Sequence, residues 1–238
     1  MSKEKQLILP KTDDNGDYYL SYSQLNTWKR SKRDYIRQYF LGEKDENAGL
    51  QKYGDFGHKV GEAFENNDFS AFEEDEIKFL KTVPKYDEFE REIRLEMDGF
   101  FIKGYIDTNS KPEQSISQEI IGKNTIVGEY IKKIADYKTG DIGKKKGDYE
   151  SEDYNQVEIY AAALEQEFGI VPDEAKVFLI GRSGNAFAGE TLELTKEFVT
   201  IEREITPEIL KKVKDGVQKT AEEISDYYQA FLKLNKII

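Results

Sequence analysis

The sequence predicts an α/β fold, a mixed central sheet flanked by helices, with elements running helix, strand, strand, strand, helix, strand before a hairpin and a long C-terminal helix. Three observations carry this. Runs rich in aromatic and β-branched residues occupy 89–97, 100–107 and 126–138, and Asp98-Gly99 between the first two is a strong hairpin-turn signal. Apolar residues at helical spacing bracket these runs on both sides. Residues 175–180 are a continuous apolar run of the buried-strand type.

In chain order, residues 1–19 are a polar lead that closes on the turn-rich Asp13-Asp14-Asn15-Gly16-Asp17 and receives no secondary structure. Ser21-x-x-Gln24 reads as a capping box opening a helix that runs to about Leu41. Leu25, Trp28, Tyr35, Ile36, Tyr39 and Phe40 form its core face, while Lys29, Arg33 and Arg37, four apart, make a basic stripe. Gly54 and Gly57 precede a helix that buries Phe56, Val60, Ala63 and Phe64 and leaves His58, Glu62 and Glu65 on a second face. An acidic helix over 69–81 is stopped by Pro84. Between the second and third strands, 110–123 is a long polar connection. Lys144, Lys145 and Lys146 lie in a Gly- and Lys-rich loop, followed by a helix over 152–168 with Gly169 as its C-cap. Gln156 and Tyr160 share a face of it, which on spacing alone is an exposed Gln over a core Tyr. Ser183-Gly184-Asn185 turns the 175–180 strand into a hairpin with 198–204. Thr206-Pro207-Glu208 opens the last helix, whose Leu210, Val217, Ile224 and Phe231 stripe is expected to lie on the sheet.

The 238 residues fit one domain, and 38% hydrophobic with 13% aromatic residues is the profile of a folded chain. No apolar run is long enough for a membrane span and no secretory signal is evident, so a cytoplasmic protein is expected. The absence of cysteine excludes disulfides and thiolate-held clusters. A net charge of −12 weighs against a phosphate-rich partner, but its distribution is uneven. Residues 132–146 and 29–37 each carry a local net charge of +4, as solvated faces or as phosphate contacts.

Chemistry concentrates in Ile131-Lys132-Lys133-Ile134-Ala135-Asp136-Tyr137-Lys138-Thr139-Gly140. Period-two alternation puts Asp136 and Lys138 on one side of this strand and Tyr137 on the other. The run 100–107 also ends in an aspartate, and if the two strands pair, Asp107 sits beside Asp136. Two carboxylates at a strand end, with an ammonium next to them, suit a hard divalent cation.

Four ordered motifs, His58 after Tyr53-Gly54-Asp55-Phe56-Gly57, then Gly104-Tyr105-Ile106-Asp107, then Asp136-Tyr137-Lys138-Thr139-Gly140, then Gln156 with Tyr160, resemble the PD-(D/E)XK nuclease superfamily, in particular its RecB-like branch. The resemblance spans about residues 20–168. It implies the αβββαβ, restriction-endonuclease-like core, and hydrolysis of DNA phosphodiesters with Mg2+ or Mn2+ held by His58, Asp107, Asp136 and the carbonyl of Tyr137. It further implies Lys138 as the group that holds the attacking water and stabilises the transition state. Gln156, Tyr160, Lys144, Lys145, Lys146, Arg33 and Arg37 become DNA contacts, and Glu90 or Glu92, between which the sequence does not choose, an outer carboxylate or a ligand of a second metal. Cluster-bearing relatives commonly carry Cys-Pro where this chain has Ser31-Lys32, so no iron-sulfur cluster is expected. Exonuclease action on DNA ends or single strands follows, in recombination, repair or phage DNA processing, with a helicase or recombination protein as partner. A structure-specific endonuclease, a non-catalytic nucleic-acid or helicase-binding module and an acidic interaction protein are the competing readings.

Overall fold

The computed structural model describes residues 7–43, 48–118 and 124–235. Eight strands and seven α-helices order them: β1 (Tyr19–Leu20), α1 (Tyr22–Arg30), α2 (Lys32–Tyr35), α3 (Ala48–Glu65), α4 (Glu74–Leu80), β2 (Glu88–Met97), β3 (Phe100–Asn109), β4 (Pro112–Gln118), β5 (Asn124–Ile131), β6 (Lys133–Gly140), α5 (Ile142–Glu150), α6 (Gln156–Phe168), β7 (Glu174–Ser183), β8 (Glu193–Arg203) and α7 (Pro207–Leu234). The expected helix, strand, strand, strand, helix, strand order is present as α3, β2, β3, β6, α6 and β7, with the β4–β5 hairpin inserted as a separate two-stranded sheet.

The main sheet is mixed. β2–β3, β3–β6 and β7–β8 are antiparallel, whereas β6 and β7 are parallel and joined through α5 and α6, as a parallel pair requires. The β2–β3 hairpin closes through Asp98-Gly99, with Met97 opposite Phe100 and Gly99 at φ 81°. One edge of β3 is taken by β2 along its length; the other edge is shared. β1 occupies Phe101 and Ile102, and β6 occupies Thr108 and Asn109. Between these points no strand ladder covers residues 103–107, and the sheet forks there.

Packing on the two faces explains which helices form. On one face Val60, Ala63 and Phe64 of α3 and Leu80 of α4 meet Ala135, Phe178 and Ile180. Burial of such side chains, each contributing about 1.5–3 kcal/mol, holds α3 together although it contains Gly49, Gly54, Gly57 and Gly61. On the other face, residues 157–164 of α6 are all buried, because α6 lies between the sheet and α7.

Several expectations are corrected. The first helix ends at Arg30; Ser31 caps a new turn by accepting the Asp34 N–H, and residues 36–40 continue as a π-helix, so Lys29, Arg33 and Arg37 form no straight stripe. Ser21 caps α1 through the Gln24 N–H, but the Gln24 amide oxygen accepts from the Tyr35 hydroxyl instead of returning to the cap. The glycines expected before the His58 helix lie inside it. The acidic helix starts at Glu74, where the Glu76 carboxylate accepts the Glu73 N–H. The strand expected over 126–138 is two strands, parted at Lys132, where Ser110 Oγ accepts the N–H groups of Lys132 and Lys133. The connection 110–123 holds β4, and its last residues, 119–123, lie outside the described residues. The loop expected at Lys144, Lys145 and Lys146 is helix α5, capped by Asp141. Within the lead Leu9 is buried, and β1 begins at Tyr19. Finally, α7 lies on α6 and α1 rather than on the sheet, with Leu210, Val217 and Ile224 buried as expected. No helix is long and apolar enough to cross a membrane, among the described residues.

Candidate active site

The fork in the sheet makes the site. Thr108 opposite Ala135 is the last β3–β6 pair on this side, so the next residues, Asp107 and Asp136, face each other where the ladder has opened. An N–H left unpaired in a sheet interior needs an acceptor, and Asp107 Oδ2 supplies it to Tyr137 at 2.7 Å. Alternation along β6 is as expected. Asp136 and Lys138 form an ion pair on one side; on the other, the Tyr137 ring stacks on Phe64 at 4.6 Å and its hydroxyl donates to the Pro84 carbonyl at 2.8 Å.

Asp136 is fully buried. Its Oδ2 accepts from the Tyr154 hydroxyl at 2.9 Å as well as from Lys138, while Oδ1 has no partner among the described residues. Burial, followed by the repulsion of Asp136, pushes the Asp107 carboxyl up to about 8, although Lys138 and the Tyr137 N–H pull the other way. Burial disfavours the Lys138 ammonium, yet Asp136 and Asp107 outweigh it and hold its pKa above the ordinary lysine value. Burial and then Asp136 keep Tyr154 protonated well past the usual tyrosine range, so it stays a donor.

A third carboxylate comes from β2. Glu90 sits at the register position opposite Asp107, between the pairs Phe89 with Thr108 and Arg91 with Ile106. Its φ of 50° is a conformation a strand Glu rarely adopts, and strain of this kind tends to gather at functional sites. Burial first, then Glu65, raise its pKa, with His58 opposing. Glu92, the alternative, pairs instead with Lys103 at 3.1 Å.

These groups open into a cleft of about 920 Å³ whose walls include His58, Glu62 and Glu65 of α3, Glu90, Asp107, Lys138, Gln156 and Tyr160. Tyr160 is buried and Gln156 half-buried, its amide donating to the Tyr160 hydroxyl. Gly104 makes room for that ring: a Cβ there would stand 3.3 Å from Tyr160 Cε1. His58 is exposed on the cleft wall, and among the described residues no three His, Asp or Glu side chains are grouped so as to hold a metal ion by themselves. The donor set nevertheless fits a hard divalent cation, with an unpartnered buried Asp136 Oδ1 and an Asp107 carboxyl whose ionisation awaits positive charge.

The remaining sequence-derived candidates lie elsewhere. Lys144, Lys145 and Lys146 are outside the cleft lining and pair with Asp141, Asp148 and Glu150 at 3.0, 2.8 and 3.5 Å. Arg37 pairs with Glu43 at 2.6 Å, and Arg33 is exposed on α2.

Sequence reasoning missed Tyr154 and what anchors it. Arg203, at the end of β8, pairs with the buried Glu158 at 2.7 Å and donates to the carbonyls of Tyr149, Ser151 and Tyr154 at 2.7, 3.2 and 2.7 Å. The α5–α6 connection that presents Tyr154 to Asp136 is thereby tied to the far strand. One signal was available: Glu158 stands alone among the apolar residues of α6, and an acid there needs a buried partner.

The fold and site together define a mixed α/β protein with a carboxylate- and lysine-bearing cleft at a sheet fork. No protein-family model matches the chain, and no curated protein matches it. Among solved structures the chain is similar to one named "Putative exonuclease" from Eubacterium rectale, with 15% identity and a TM-score of 0.47, over 89% of this chain and 82% of that one.

Proposed function

We propose that this chain is a divalent-metal-dependent nuclease of the PD-(D/E)XK type that hydrolyses DNA phosphodiesters, acting from DNA ends. The observation that carries the reading is the fork itself, which sets Asp107 and Lys138 on the wall of an open cleft, with Asp136 fully buried beside them and one of its oxygens without a partner among the described residues. Asp107, Asp136, the Tyr137 carbonyl and, from the α3 wall, His58 would hold Mg2+ or Mn2+. When bound, the cation supplies Lewis acidity toward a phosphate oxygen and lowers the pKa of coordinated water.

The chain's own groups do the rest. Lys138, kept cationic by the two aspartates, offers N–H donors to the attacking water and to the charge that builds on the phosphate. Tyr154 holds Asp136 in place by donating to its Oδ2, the oxygen that Lys138 also contacts. Glu90 supplies an outer carboxylate whose pKa is raised by burial and then by Glu65, so it holds a proton more readily than an ordinary glutamate. Gln156 presents a half-buried amide to a strand lying in the cleft.

End-labelled linear and circular DNA, single- and double-stranded, incubated with Mn2+, Mg2+ or EDTA, tests the reading. Metal-dependent loss of linear DNA with circles intact supports an exonuclease, and cut circles would make it an endonuclease. No cleavage under any condition refutes the proposal.

A further inference from the structure

We infer that an aromatic and guanidinium bracket at the cleft rim, formed by Tyr53, Arg182 and Phe187, is a second binding site that grips an unpaired nucleic-acid strand beyond the reacting phosphate. The inference rests on the nuclease reading above and adds a subsite to it: Arg182 and Phe187 lie outside the four motifs, and Tyr53 joins them to the first.

The bracket begins with a distortion in the β7–β8 hairpin. Ile180 pairs with Phe198 but Arg182 pairs with Leu194, so β8 carries two more residues than β7 between these points. Gly181 faces this excess; a Cβ there would lie 2.0 Å from Thr195 Oγ1, and Lys196 takes a φ of 60° to complete the bulge. Bulges redirect the residues beyond them. Here the hairpin end meets α3. The Arg182 guanidinium lies over the Tyr53 ring at 4.1 Å, and the Tyr53 hydroxyl accepts from the Ala186 N–H at 3.0 Å. Phe187, on the 3-10 turn Ala186–Ala188, meets Tyr53 edge-on at 5.6 Å. Gly49 permits the approach: a Cβ at that position would stand 2.4 Å from Phe187 Cδ1.

Three features of this bracket point to a ligand. Phe187 is 61% exposed although its ring meets Tyr53 edge-on. Arg182 makes no ion pair among the described residues, and its Nε is buried without a hydrogen-bond partner; by contrast, each lysine of α5 is matched with an acid. Third, Tyr53 belongs to the cleft lining, so bracket and site share a wall. Leu179 is opposite Lys138 and Gly181 opposite Gly140, which puts Arg182 three positions further along the neighbouring strand. At about 3.3 Å per residue this is on the order of 10 Å from Lys138, within reach of the nucleotides next to the reacting phosphate. A planar cation held on a ring suits a phosphate, and an exposed ring beside it suits the face of a base. Bases of a duplex are already stacked on each other, so this combination selects unpaired nucleotides.

The test measures binding of fluorescent single-stranded and blunt duplex oligonucleotides in EDTA, where no hydrolysis occurs, to wild type, Phe187→Ala, Phe187→Tyr and Arg182→Gln. Phe187→Ala should weaken single-strand binding roughly tenfold and leave the duplex unaffected, and Phe187→Tyr should restore it. Arg182→Gln should reduce the slope of log affinity against log salt by about one. Thermal melts of the two Phe187 variants should match wild type, because Phe187 is exposed, and a melt of Arg182→Gln checks that it is folded at the assay temperature. Unchanged single-strand affinity and slope in both Phe187→Ala and Arg182→Gln would overturn the bracket while leaving wild-type cleavage, and the nuclease reading with it, intact. Binding that depends on the bracket in a protein that never cleaves would leave the subsite standing and remove the nuclease. Failure of wild type to bind either oligonucleotide removes the bracket, and the nuclease reading then stands or falls on the cleavage assay.

Discussion

Replacing Asp107 by Asn should make the metal-free protein more stable at neutral pH, although it removes a residue central to the proposed chemistry. The Asp107 carboxyl has an ordinary value of 3.8 and is pushed up to about 8 in the fold, by burial and then by Asp136. A folded pKa above the unfolded one means that the folded state binds the extra proton between these values. The stability that goes with the protonated form is complete below about pH 4 and drains away as pH rises toward 8. At pH 7 the shift sets a ceiling of about 4 kcal/mol, at ~1.4 kcal/mol for each pH unit above the ordinary value. Asp107 borders an open cleft, so solvent screens part of this, and roughly 2 kcal/mol is the working figure. For a chain of this size that is a rise in melting temperature of about 4–8 °C. The Asn amide oxygen can still accept the Tyr137 N–H, so the backbone contact survives. Circular dichroism melts of both proteins in EDTA from pH 5 to pH 9 measure it: the curves should converge at the acid end and separate with rising pH. Equal melting temperatures at pH 8 would refute the argument. Mn2+ should then raise the melting temperature of wild type far more than that of the variant.

Other substitutions probe the surroundings. Arg203→Met leaves Glu158 buried and unpaired and should destabilise by about 3–5 kcal/mol in urea unfolding, with Glu158→Gln in the same chain recovering a large part; additive losses in the double variant would argue against the pair. Tyr154→Phe should cost only about 1 kcal/mol of stability but weaken Mn2+ affinity measured calorimetrically, since Asp136 loses a donor that orients it; unchanged affinity would leave Tyr154 a packing residue. His58→Ala should weaken Mn2+ binding more than Mg2+ binding, because nitrogen ligation contributes more to the transition metal. Equal affinities in wild type and variant would exclude His58 as a ligand.

The parts of this architecture that local rules govern were readable in the sequence. Alternation placed Asp136 with Lys138, Asp98-Gly99 closed the hairpin that delivers Asp107, and Thr206-Pro207 opened α7. Parts decided by distant contacts were not. Gly143 and Gly147 argue against a helix at Lys144, but the Asp141 cap and acid–base pairs three and four residues apart form one. Ser31 could have been read as a cap that interrupts the first helix; the apolar spacing that runs through it hid the break. That Glu90 lines the cleft while Glu92 pairs with Lys103 goes with a backbone angle at Glu90 that no local pattern signals, and Arg203 reaches Glu158 across 45 residues, a span over which no spacing rule operates.

The bond from the Tyr137 amide to Asp107 gives the protein a built-in gauge. Amides in a sheet interior exchange with heavy water only when strands part, because their acceptors are backbone carbonyls that carry no titrating charge. This amide leans on a carboxylate instead, so its exchange should follow the ionisation of that carboxylate and whatever occupies the space beside it, while its neighbours in β6 report only on unfolding. One nitrogen in the chain thus registers, without label or substrate, the electrostatic state of the cleft.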